Sequence, residues 1–253
     1  MFKIGADPEL FFRSGNKLVS VIDKLGGSKS EPLPLAVPGC AIQEDNVAAE
    51  YNIPPCDTVE DFVRHNKYVL QELATRAQAM GFQLASKVAS HSFDEDQLMH
   101  WKASVFGCDP DYNAWTREQN PSPYCEDRNL RSAGGHVHIG SNLNPYELGK
   151  ACDVFLGVPA IARDSDTRRR SLYGKHGAIR IKPYGVEYRT LSNFWIWDEQ
   201  DMRWVYDQTK KAVEFVSQGK TVPEEFREYV AGAIDFGRQD CFDVVMEYAH
   251  ANS

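Results

Sequence analysis

An α+β fold is predicted by two features of this 253-residue chain. Amphipathic helical stretches are interleaved with short strand-like segments, without the regular alternation and Gly-rich turns of a Rossmann domain. Inside those strands, ionisable residues recur two apart. An apolar content of 42% is enough for a substantial core, and no repeat, low-complexity tract or long linker divides the chain. Residues 1–253 are therefore read as one domain.

The first helix is expected after Thr58, whose hydroxyl can cap a segment carrying Phe62, Val69, Leu70, Leu73, Ala77 and Met80 on one side, before Gly81 stops it. A second begins at Asn144-Pro145, cap then first-turn proline, with Glu147 placed for a capping box and Pro159 ending or kinking it. A third runs from about Asp198 to Gly219, and two more follow Pro223 with a break near Gly237. Strands are expected at Phe82–Val88, His136–Gly140, Ala178–Lys182 and Val186–Leu191, all rich in β-branched or aromatic residues.

A net charge of -8 argues against a duplex nucleic-acid footprint over the surface as a whole. Apolar runs fall far short of a bilayer span and Asp7 sits where a signal peptide would be apolar, so a cytoplasmic location is expected. The six cysteines (Cys40, Cys56, Cys108, Cys125, Cys152, Cys241) form no Cys-x-x-Cys pair and are read as reduced thiols, with Cys108 the first to check for catalysis.

Four pairs carry the chemistry: Asp7 and Glu9, His136 and His138, Arg180 and Lys182, Glu187 and Arg189. Residues two apart on a strand point to one face, so each pair projects into one space. Asp7 and Glu9 repel each other there unless they take up a proton or hold a cation, the alternative being a solvated edge strand that Pro8 hints at. Glu44, Asp45 and Glu50, set among small and apolar residues, suit oxygen ligation of a hard cation such as magnesium. The histidine doublet, preceded by Gly134 and Gly135, points to metal and phosphate without specifying a reaction. From Arg168 to Glu187, six arginines or lysines precede a single acid, so this segment is the natural polyanion contact; Arg168 and Arg169 read as a solvated basic loop, whereas Arg180 and Arg189 sit inside strands. Acids for divalent ions and guanidinium groups for phosphate oxygens are what phosphoryl transfer requires. No Gly-x-x-x-x-Gly-Lys-Ser/Thr loop exists, and Gly26–Ser30 is only a faint echo of one.

Four blocks, GADPELFF (5–12), QEDNVAAEYNIPP (43–55), GGHVHIG (134–140) and AIRIKPYGVEYRTLSN (178–193), together resemble the glutamine synthetase and glutamate-cysteine ligase superfamily, more closely its phage-encoded carboxylate-amine ligase branch. The resemblance implies a curved, mostly antiparallel sheet with helices on its convex side. It also implies ATP and two or three Mg2+ ions, with Mn2+ as a substitute. Carried over, Glu9 joins Glu50 and one of Glu44 or Asp45 around one metal, while Asp7 joins His136 and Glu187 around the metal that bridges the nucleotide phosphates. His138 and Lys182 then face the nucleotide, and Arg180 and Arg189 steady the transferred phosphoryl group. Asp7 stands where glutamine synthetases usually have glutamate, and no separate N-terminal domain is recognisable, so their shared-site ring is not assumed, although a homo-oligomer is compatible. Lys29, Tyr112, Trp115 and Arg131 flank the motifs and are the substrate-side candidates.

The implied reaction joins an unidentified carboxylate and amine through an acyl phosphate, in the host cytoplasm if the chain is phage-encoded. The rivals are a metal-dependent hydrolase built on the His-x-His doublet and an inactive binding module of the same fold. Under the ligase reading, Glu187→Ala is expected to abolish activity with the fold largely intact, and Arg189→Lys to lose most activity.

Overall fold

The computed structural model describes residues 2–104, 110–121 and 124–252. Cys108 lies outside them. Fourteen strands appear among these residues: β1 (Lys3–Ala6), β2 (Glu9–Leu10), β3 (Phe12–Ser14), β4 (Lys17–Val19), β5 (Leu33–Pro34), β6 (Ala41–Asp45), β7 (Ala48–Cys56), β8 (Gln83–Leu84), β9 (Ser90–Ser92), β10 (Tyr112–Asn113), β11 (Leu130–Ser132), β12 (Val137–Gly140), β13 (Ala178–Lys182) and β14 (Gly185–Tyr188). The helices are α1 (Val59–Ala79), α2 (Glu95–Leu98), α3 (Pro145–Cys152), α4 (Val158–Ala160), α5 (Glu199–Ser217), α6 (Phe226–Phe236) and α7 (Gln239–Ala251).

Nine strands form the main sheet in the order β10-β13-β14-β12-β1-β7-β6-β5, with β2 also paired to β7. All these pairings are antiparallel. Strand parity then separates two faces. Ile4, Tyr51, Ile139, Ile179, Val186 and Tyr188 point into one core cluster that extends from Ile4 to Ala249 and is covered by α1, α3 and α5. The charged pairs occupy the opposite face, because each lies one residue out of phase with these apolar positions.

Asp7 lies in the break between β1 and β2 and Glu9 in β2, inside the sheet and not on a solvated edge. The amides of Asp7 and Glu9 donate to the carbonyls of His136 and Gly134, and the Pro8 carbonyl accepts from Tyr51, so Pro8 sits where the missing N–H costs one ladder bond toward β7. The expected strand at Phe82–Val88 is reduced to β8, paired with β3 in a small three-stranded sheet.

The helices start where capping chemistry places them. The Thr58 hydroxyl accepts the Asp61 amide at 3.2 Å, the Asn144 carboxamide accepts the Tyr146 and Glu147 amides at 3.0 and 3.3 Å, and Asp198 accepts from Gln200 at 2.7 Å. Pro159 does not end the helix begun at α3. The chain widens into a π turn at Asp153–Gly157 and continues as α4 with Pro159 in its first turn, where a missing N–H is tolerated. Gly237 closes α6 in the left-handed region at φ 65°, as its position after Phe236 predicts.

Candidate functional site

The sheet register assembles the site. Glu187 on β14 stands opposite His138 on β12 and Arg180 on β13, while Glu50 on β7 stands opposite Glu9 on β2 and Gln43 on β6. Two groups of ligand atoms result, each lying within 4.8 Å of one another: Asp7, His138 and Glu187 in the first, Glu9, Asp45 and Glu50 in the second.

In the first group, Asp7 Oδ1 lies 2.9 Å from His138 Nε2 and 3.4 Å from His136 Nδ1. Both atoms are buried, and neither makes a well-formed hydrogen bond among the described residues. On its far side, His138 Nδ1 meets the Tyr184 hydroxyl at 2.5 Å, which fixes the ring with Nε2 turned toward the acids. Burial disfavours the charged imidazole of His138, but Asp7 outweighs it and raises the pKa. His136 behaves oppositely: burial, reinforced by Arg189, pushes it down to about 4. It is therefore neutral near pH 7, and the close approach to Asp7 is not an ion pair. A lone pair on Nδ1 fits its contact of 3.5 Å with the Arg189 guanidinium.

Glu187 is fully buried and surrounded by cations. Arg180 Nη1 is 3.3 Å from both carboxylate oxygens, Lys182 Nζ is 3.1 Å from one, and Arg189 Nη1 bonds the other. Burial and Asp7 push this carboxyl up, but Arg189, His136 and Arg180 prevail and hold it near 2. Asp7 is held still lower: burial works against ionisation, and His138 and His136 more than compensate.

The second group lacks that counter-charge. Glu9 is pushed up to about 7 by burial and then by Asp45, despite the Gly134 amide donating to its Oε2 at 2.7 Å. Glu50 is raised by burial, then by Asp7, Asp45 and Glu9, while Gln43 Nε2 donates to its Oε1 at 2.9 Å. Three carboxylates crowded in this way favour either a proton or a hard cation.

This asymmetry gives the sign of a pH effect. A carboxyl raised from 4.5 to about 7 keeps its proton in the folded chain where the unfolded chain has lost it, so its contribution is complete below 4.5 and is lost as the pH rises through 7. His138 acts in the same direction, His136, held near 4, acts in the opposite one between about 4 and 6.5, and the depressed Asp7 and Glu187 act only below their ordinary values. Thermal melts with a chelator should therefore show stability falling between about pH 6.5 and 8, where His136 no longer opposes Glu9, whereas excess Mg2+ should restore it increasingly toward pH 8. A chelated protein whose stability rises over that interval would remove the acid repulsion from the argument.

Several sequence candidates lie elsewhere. Glu44 has the opposite parity on β6 from Gln43 and Asp45, and its carboxylate accepts the amides of Lys24 and Gly26 at 3.1 and 2.9 Å, so of the two acids only Asp45 reaches the second group. Arg131 is buried with its guanidinium on the carbonyls of Ala103, Arg128 and Leu130 and on Asn46, which makes it a strut and not a substrate contact. Trp115 points into the helix-covered core and donates to Asp153 at 2.7 Å. Tyr112 pairs with Ile179 and packs against the same core, while Lys29 is exposed in the loop before β5. His138 stands in the first group where the resemblance placed His136, which borders it through Nδ1. Among the cysteines, burial raises the thiols of Cys40, Cys56 and Cys152, so these are poor nucleophiles.

Other residues at the site had no clear signal. Asp111, neighbour of Tyr112 and of opposite parity, places Oδ2 3.6 Å from Arg189 Nε. Tyr184 lines, with His138, Gly5, Ile53 and Pro55, a cavity of about 460 Å³ beside the first group. Gln43 could have been found from its two-residue spacing to Asp45.

Comparison with known proteins adds a partial family match. Residues 129–228 match the family described as "Phage phiEco32-like COOH.NH2 ligase-type 2", a stretch that contains His136, His138, Arg180, Glu187 and Arg189. No curated protein matches. A solved structure titled "Crystal structure of novel glutamine synthase homolog" aligns over 99% of this chain and 67% of its own, at 12% identity and a TM-score of 0.42. No described helix is long and apolar enough to cross a membrane. Over residues 129–228, less than half of its length, this chain is similar to the phage-type carboxylate-amine ligases.

Proposed function

We propose that this protein uses ATP and magnesium to join a carboxylate to an amine, with residues 1–253 acting as one catalytic domain. The observation that carries this reading is the pairing of two ligand groups on adjacent strands with three cations gathered on Glu187. A hydrolase needs no such cation cradle, and an inactive module has no reason to keep both the acidic and the basic half.

Both groups fit divalent ions by their donors: three oxygens in Glu9, Asp45 and Glu50, and two oxygens with an imidazole nitrogen in Asp7, His138 and Glu187. Mg2+, or Mn2+ in its place, supplies Lewis-acid charge to the phosphate oxygens when bound. Arg180, Lys182 and Arg189 gather on Glu187 and neutralise negative charge that accumulates beside it. The cavity beside His138 and Tyr184, apolar along Ile53 and Pro55, takes the nucleoside end, which leaves the phosphates over the ligand groups. A substrate carboxylate oxygen then attacks the terminal phosphorus and ADP leaves. The amine nitrogen next attacks the acyl carbon, phosphate departs, and the nitrogen gives up one proton.

ADP release measured with a panel of amines and carboxylates tests this. Release that requires both partners together, and Mg2+ or Mn2+, is expected. Substrate hydrolysis that proceeds without nucleotide would establish the hydrolase instead.

A further inference from the structure

The run Arg168-Arg169-Arg170 reads from sequence as a solvated basic surface, but Arg169 is only 2% exposed. It enters from the short 3-10 turn Arg168–Ser171 and places its guanidinium under the strand that leaves β14. Nη1 donates to the Thr190 carbonyl at 2.9 Å and Nη2 to the Arg189 carbonyl at 3.2 Å, so one planar group holds the backbone of the residue that grips Glu187. Nε is buried without a hydrogen bond. Space for this arrangement depends on Gly174, at φ +77°, where a Cβ would lie 1.9 Å from Arg169 Nη1 and 2.6 Å from the Thr190 carbonyl. The turn is itself anchored: Asp166 accepts the amides of Arg168 and Arg169 and the Ser90 hydroxyl.

We propose that Arg169 is a positioning residue for the ligation: by holding the carbonyls of Thr190 and Arg189 it fixes the main chain that presents Arg189 to Glu187. The kinetic consequence rests on the ligase reading.

Three variants test the brace. Arg169→Met removes it, Arg169→Lys cannot span two carbonyls, and Gly174→Ala displaces the guanidinium. Turnover should fall about 100-fold in all three, in kcat more than in KM for ATP, because Arg189 loses its position. Hydrogen exchange read on the peptide that holds Arg189 and Thr190 should quicken in each variant while the rest of the sheet keeps its protection. Wild-type kcat in Arg169→Lys and Gly174→Ala, or a loss of activity that only follows melting temperature across the set, overturns the proposal. Should wild type itself release no ADP with any substrate pair, the ligase reading fails, and unchanged exchange at Arg189 and Thr190 is then what overturns the brace.

Discussion

Glu187→Ala should abolish ADP release and also lower thermal stability, in contrast to the intact fold expected from sequence. The first effect follows from its place in the group with Asp7 and His138, where it offers an oxygen to the cation and sets the spacing of Arg180, Lys182 and Arg189. The second follows from burial. Glu187 has no exposed surface, and the side chains of Arg180 and Arg189 are themselves only 10% and 8% exposed, so deleting the acid leaves cations facing one another in a confined space. Breaking a buried pair from one side typically costs about 3–5 kcal/mol, which in a chain of this size lowers the melting point by about 10 °C. Glu187→Gln separates the two effects, since it keeps the shape and some hydrogen bonding but loses the charge: turnover should stay lost while part of the stability returns. Calorimetry beside an ADP assay reads both. Residual turnover near wild type in either variant would take Glu187 out of the reacting centre.

Much of this centre was legible because strand parity is a local property. His136 with His138, Arg180 with Lys182 and Glu187 with Arg189 each share a face from spacing alone, and the ranges of β12 and β13 follow from the same alternation. Parity also separates Asp45 from Glu44, but only once Glu50 on the neighbouring strand fixes which face is the site, and that register is not written in either strand alone. Nearness in sequence to a motif was a poor guide for Tyr112, Trp115 and Arg131. Tyr112 and Trp115 turn toward the core, and Arg131 answers main-chain carbonyls, while Asp111, one residue from Tyr112, faces Arg189. Arg169 was misread because a run of three arginines resembles a solvated surface. Its burial is decided by Gly174 and by carbonyls some twenty residues away, which no local pattern announces.

Arg189→Lys should lose turnover about 10²–10³-fold, as expected when a preorganised donor to developing charge is removed. Among the described residues Arg189 faces three partners at once: Nη1 bonds Glu187 and lies 3.5 Å from His136 Nδ1, while Nε faces Asp111 at 3.6 Å. An ammonium keeps the charge but, as a compact point on a flexible stem, cannot hold these directions together. Arg180 offers the contrast: among the described residues it meets Glu187 with Nη1 3.3 Å from both oxygens, an approach that an ammonium can imitate. Arg180→Lys should therefore retain clearly more activity than Arg189→Lys, although the two variants carry equal charge. Steady-state kinetics on the pair, with melting temperatures to exclude unfolding, measures the difference. If both variants fall equally, charge alone governs the cradle and the planar fork of Arg189 has no special part; if Arg189→Lys is unaffected, the guanidinium does not face the transferred group.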